Sequence, residues 1–152
     1  MYAFVDRPVA ELDQGSRLLV WSMRIWVASM GKRKCPGSAL APAFAGLSVL
    51  SGMQPFMTMM ALLNRHGLEN FQFCDPRCAC VSEHEALILS TVCATRDPNP
   101  EPLKATLGLL VAEEAVSPVF DALTRLKLAL LTAGMHPVEP SQDSTISSNY
   151  RR

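Results

Sequence analysis

Between Asp13 and Met30 apolar side chains return every third or fourth residue, with no proline to interrupt them. Projected at 100° per residue, Leu18, Leu19, Val20, Trp21, Met23, Ile25, Trp26, Val27 and Met30 cover most of the circumference, and Arg17, Arg24 and Gly31 share one narrow stripe. A helix that is apolar on most sides has to be surrounded by other elements, so this segment, which carries both tryptophans, is the expected central helix. Ser22 and Ser29, seven residues apart, let a neighbouring helix come close.

The segments that follow are punctuated as helices. Gly31 reads as a stop, with Lys32, Arg33 and Lys34 at the negative end of the helix dipole and Cys35-Pro36-Gly37 as the turn. A second helix is expected over 38–49, provided that Pro42 lies in its first turn. A third starts with Pro55 as first helical residue, stops at Gly67, and has Phe56, Met59, Met60 and Leu63 on one face. Ser82 followed by Glu85 spells a capping box, which places the start of a fourth helix at Glu83 and its end near Ala94. Asp97-Pro98-Asn99-Pro100 ends that helix; a fifth is expected over 102–113, and a sixth from Pro118 to Ala133, with Ser117 as cap and Gly134 as stop. The fold class is therefore all-α: an irregular bundle of five to six helices in a single domain, residues 1–136. Residues 137–152 are polar, without apolar spacing, and are expected to form a disordered tail.

Composition narrows the functional classes. Fourteen basic residues balance fourteen acidic ones, so no global field draws the chain to nucleic acid. Charged residues make up only 18%, below the usual quarter or so, which leaves much of the surface neutral or apolar and favours a self-association face or a partner groove. A membrane span needs roughly 20 consecutive apolar residues, and every apolar run here is cut short. Five cysteines, an odd number, together with an N-terminus that lacks the pattern of an export signal, give the expectation of a reducing, cytoplasmic location.

One stretch is chemically unusual. Cys74, Cys78, Cys80 and His84 fall within eleven residues, immediately before the fourth helix. Thiolate and imidazole are the ligands zinc prefers, so a structural zinc site is one reading, with Cys35 as an alternative ligand; the C-x3-C-x-C spacing fits the common zinc modules only in its first interval. A second reading is thiol redox chemistry, with Cys80 activated by the start of the fourth helix and Cys78 resolving it. The third is that these are ordinary small residues of a loop, some of them buried.

No catalytic motif is present: there is no G-x-S-x-G, no glycine-rich phosphate loop and no H-E-x-x-H. His66 follows Arg65 at a helix end, where it fits a dipole partner better than a base, and His136 precedes a proline in the last loop. Met53, Met57 and Met60 crowd the third helix, either as core filling or as a flexible partner-binding surface.

Around Arg33-Lys34-Cys35-Pro36, and again from Cys74 to Val81-Ser82-x-x-Glu85, the middle half of the chain resembles small bacterial helical proteins of unknown function, in which a Cys-Pro follows a Trp-containing first helix. That resemblance implies no activity; it suggests only that Cys35 and the cluster belong together. The sequence thus points first to a non-catalytic helical adaptor or regulatory domain acting by self-association or protein partner binding. The alternative is a zinc-binding or thiol redox-sensing protein.

Overall fold

The computed structural model describes residues 3–140, and six α-helices and two single 3-10 turns account for most of them. The helices are α1 (Gln14–Gly31), α2 (Pro36–Gly46), α3 (Met53–His66), α4 (Glu83–Ala94), α5 (Glu101–Leu110) and α6 (Glu113–Thr132). The chain is all-α, an irregular bundle around one apolar core, and among the described residues the only β-type pairings are two isolated bridges. No described helix is long and apolar enough to cross a membrane.

α3 and α6 pack along each other most extensively, while α1 packs on α2, α3 and α4. Leu19, Val20, Met23 and Trp26 of α1 enter the core, as do Phe56, Met59, Met60 and Leu63 of α3 and Val119, Leu123, Leu126 and Leu130 of α6. These spacings are those expected of helices that bury one flank.

Several boundaries differ from the sequence expectation, each for a local reason. α1 runs through Gly31, and its end is formed two residues later, where Arg33 takes φ 55° and the Lys34 N–H reaches the Ser29 carbonyl. α2 begins at Pro36, which suits a first helical position, so Pro42 lies beyond the first turn. α6 begins at Glu113 and includes Pro118, which sequence placed at its start. Pro42 and Pro118, and the residues four before them, Ser38 and Glu114, are all exposed, so the carbonyls left without a helical donor meet water. α5 stops at Leu110 because Val111 turns extended and bridges to Gly67: Leu68 N–H donates to the Leu110 carbonyl at 2.9 Å and Ala112 N–H to the His66 carbonyl at 2.9 Å. That frees Glu113 and Glu114 for the first turn of α6, where the helix dipole favours negative charge.

The packed chain continues past His136. Pro137 is buried, and Val138 N–H donates to Asp13 Oδ2 at 3.3 Å; Asp13 also caps α1 through Ser16. The rest of the expected tail, 141–152, lies outside the described residues. Gly134 ends the helical region at φ 69°, and the segment after it crosses the start of α1 so closely that a Cβ on Gly15 would collide with the Met135 carbonyl. Gly15→Ala is therefore expected to cost about 2 kcal/mol, an overpacking penalty against backbone that cannot yield. Urea unfolding of the two chains side by side measures it, and equal stability would contradict this packing.

Candidate functional site

The loop between α3 and α4 is built around a buried ion pair. Arg24, in the middle of α1, is 3% exposed and Glu85, in the first turn of α4, is fully buried. Arg24 Nε donates to Glu85 Oε2 at 2.8 Å and Nη2 to Oε1 at 2.9 Å, a two-point contact. The remaining hydrogen bonds of both groups go to the sulfur-rich loop. Arg24 Nη1 donates to the Cys78 carbonyl at 2.7 Å, and Nη2 also to the Cys80 carbonyl at 2.9 Å. Glu85 Oε2 accepts from Cys74 N–H at 3.1 Å, and Oε1 from Ser82 N–H at 2.9 Å. The carboxylate thus receives four hydrogen bonds, about the full capacity of its two oxygens. The Ser82 contact is half of the capping box expected from Ser82 and Glu85, and the Ser82 hydroxyl returns it by accepting Glu85 N–H at 3.3 Å.

Burial pushes the Glu85 carboxyl up, but the hydrogen bonds from Arg24 and from the backbones of Ser82 and Cys74 outweigh it and hold the group below the usual carboxylate range. The Glu85 hydrogen bond in turn raises the Arg24 guanidinium above its ordinary value, so the pair stays charged.

Within the loop, Asp75-Pro76-Arg77-Cys78 forms a tight turn closed by Cys78 N–H on the Asp75 carbonyl at 2.9 Å. Asp75 Oδ1 accepts from Arg77 N–H at 2.9 Å, and proline occupies the second position, where its fixed φ suits the turn. The turn folds Cys78 back toward Cys74, so that the two side chains influence each other, while the Cys78 thiol donates to the Cys80 carbonyl at 3.6 Å. Their titrations diverge. Hydrogen bonding with the Cys80 backbone, then with the Cys74 thiol, draws Cys78 below its ordinary value, with a contribution from Arg24. Burial, then the bond to Cys78, pushes Cys74 up.

The opposite face of the loop is held by the N-terminal arm. Asp6 N–H donates to the Val81 carbonyl at 3.0 Å, Val81 N–H to the Arg7 carbonyl at 2.9 Å, and Val9 N–H to the Ala79 carbonyl at 2.8 Å. Phe4, fully buried, anchors that arm in the core.

The structure thus assembles a pair of thiols rather than the ligand set Cys74, Cys78, Cys80 and His84. His84 is engaged elsewhere: its Nδ1 accepts Gln72 N–H at 2.8 Å, its ring meets Phe71 edge-on at 5.2 Å, and Nε2 lies 3.6 Å from Glu69 Oε1. Cys80 contributes its carbonyl, bound by Arg24. Cys35 is exposed at the start of α2, where its sulfur and that of Met57 lie beside Gly37. Among the described residues, no three Cys, His, Asp or Glu side chains are grouped so that they could hold a metal ion. The redox reading changes partners, because the turn brings Cys74 toward Cys78. Cys93, the fifth thiol, lies 3.5 Å from the Pro137 carbonyl, and burial raises it to about 12. Of the methionines proposed to meet a partner, Met60 is core, whereas Met53 and Met57 are half-buried against it.

Sequence reasoning missed Arg24, which it placed on a polar stripe with Arg17 and Gly31. Arg17 and Gly31 are exposed, but Arg24 lies under the loop. The available signal was a lone charge inside the apolar run from Leu18 to Val27, with a capping glutamate far along the chain to receive it.

The fold and site define a helical bundle in which a buried arginine–glutamate pair holds a dithiol loop. A scan against protein-family models and searches of curated proteins and of solved structures each found no match to the chain.

Arg24→Met strands the Glu85 charge and is expected to cost about 3 kcal/mol, as for other buried pairs broken on one side; Arg24→Met/Glu85→Met removes both charges and is expected to recover part of that loss, the backbone groups of Cys74, Cys78, Cys80 and Ser82 still lacking their partners. Chemical denaturation of the parent, Arg24→Met, Glu85→Met and the double variant measures this, and a double variant as unstable as the sum of its single changes would contradict it. The pH dependence has a definite sign. Because the folded Glu85 value is depressed, its contribution is complete above the unfolded value and fades as pH falls through the folded one. Stability measured below pH about 4.5 should therefore drop less steeply in Glu85→Gln than in the parent chain, and identical slopes would exclude the effect.

Proposed function

We propose that this protein is a non-catalytic helical regulatory domain that acts by self-association, with the α3–α6 seam as its docking face. The observation that carries the reading is a groove of about 660 Å³ along that seam, bordered by Ser51, Gln54 and Thr58 on one side and by Asp121, Arg125 and Leu128 on the other. Pro118, Asp121, Arg125, Leu128 and Thr132 line it at intervals of three and four residues, the spacing of a helix–helix seam.

Charge and exposure favour a second copy of the chain as the occupant. Leu128 is 57% exposed, although it lies on the longest helix and one residue from the buried Ala129. Asp121 and Arg125 form no ion pair among the described residues. If two α6 helices cross antiparallel about a two-fold axis near Leu123, Asp121 of each meets Arg125 of the other and Pro118 meets Leu128. A two-fold interface needs this self-complementarity, in which each contact occurs twice. The low share of charged residues favours it too.

Sedimentation equilibrium over a range of concentrations tests the reading. The parent chain should dimerise, Leu128→Glu should be monomeric, and Asp121→Arg should weaken association by about tenfold through facing arginines. Adding Arg125→Asp to Asp121→Arg restores opposite charges and should restore the dimer. A parent chain that stays monomeric, or a double variant no better than the single one, would overturn the proposal.

A further inference from the structure

Independently of the seam, we infer that Cys74 and Cys78 form a reversible intrachain disulfide in response to hydroperoxides, with Cys78 reacting first and Cys74 resolving it. The inference rests on the construction of the turn. The Asp75–Cys78 hydrogen bond folds the chain back so that Cys78 returns toward Cys74 and the two side chains interact, and the Asp75 contact with Arg77 reinforces the turn. Both backbones are held from below by a single buried unit: Cys74 by its N–H on Glu85 and Cys78 by its carbonyl under Arg24. The outer side of the turn is open, since Asp75, Pro76 and Arg77 are exposed and Cys78 is partly so. A small oxidant can therefore reach Cys78 without unfolding the bundle.

The same features give the two sulfurs different roles. Cys78 has Arg24 beside it and a thiol donor in Cys74, conditions that favour thiolate. Cys74, half-buried like Cys78, has its thiol pushed up by burial and by the interaction with Cys78, and keeps its proton until an electrophilic sulfur is presented to it. The Cys78 thiolate attacks the terminal oxygen of the hydroperoxide, the O–O bond breaks, and sulfur becomes sulfenic acid while the alkoxide or hydroxide takes a proton and leaves as alcohol or water. The Cys74 sulfur then attacks Cys78; the S–S bond forms, the S–O bond breaks, and hydroxide leaves as water with the proton from Cys74. Two thiols have lost two electrons, and one hydroperoxide has gained them.

Cys93 and Cys35 have no such arrangement. Cys93 lies beneath Pro137 with its proton strongly held, and Cys35 has methionine rather than a second thiol for a neighbour.

The test is treatment of the reduced full-length chain with hydrogen peroxide near neutral pH, followed by intact mass and peptide mapping. The expected product has lost two hydrogens, is linked Cys74–Cys78, and returns to the starting mass with dithiothreitol. Cys74→Ser should stop at a sulfenic acid on Cys78 that dimedone traps. Cys78→Ser, provided circular dichroism shows parental helix content, should slow oxidation of the loop by about tenfold or more. A linkage through Cys80, a first sulfenic acid at Cys80, or loop thiols that oxidise no faster than Cys35 would overturn the inference.

Discussion

The two charges of Arg24 and Glu85 are withdrawn from water at a cost of several kcal/mol each, and only complete pairing can offset that. The completeness is what organises this region. A guanidinium has more donors than one carboxylate can use, and the surplus is spent on the Cys78 and Cys80 carbonyls; the carboxylate has more lone pairs than one guanidinium can fill, and these take Cys74 and Ser82 N–H. One interaction therefore connects α1, the start of α4 and the loop before it. The N-terminal arm, anchored by Phe4, then pairs with the loop through three backbone hydrogen bonds, which couple the arm from Asp6 to Val9 to the loop.

Much of the architecture was legible because it rests on local rules. The apolar stripes of α1, α3 and α6, the Ser82–Glu85 capping box and the Gly134 stop are read from neighbours three or four places apart. What was not legible depends on contacts between distant segments. Ser117-Pro118 has the form of a helix start, yet α6 begins earlier because Val111 leaves α5 to bridge Gly67. Gly31 does end α1, but the positive φ that a terminal glycine could supply is taken by Arg33.

The candidate site divides along the same line. That the sulfur-rich loop was chemically distinctive could be seen in its spacing; which thiols meet could not. The Asp75-Pro76-Arg77 turn decides that Cys74 and Cys78 face each other, and His84 turns to Gln72 and Phe71. The arginine beneath them shared a narrow stripe with Arg17 and Gly31, and helical periodicity records which residues share a face and not which segment covers it. The methionines show the converse: Met60 carries no mark to distinguish a core side chain from a binding one, and only its position between α3 and its neighbours makes it core.

Amide hydrogen exchange on Arg24→Met compared with the parent chain addresses the dependence on the ion pair most directly. Loss of the guanidinium should raise exchange in the loop from Cys74 to Ser82 and in the arm from Asp6 to Val9 together, while the cores of α3 and α6 keep their protection. Unchanged protection in the loop and arm, or an equal loss across every helix, would contradict the account of Arg24 as the local fastening of that layer.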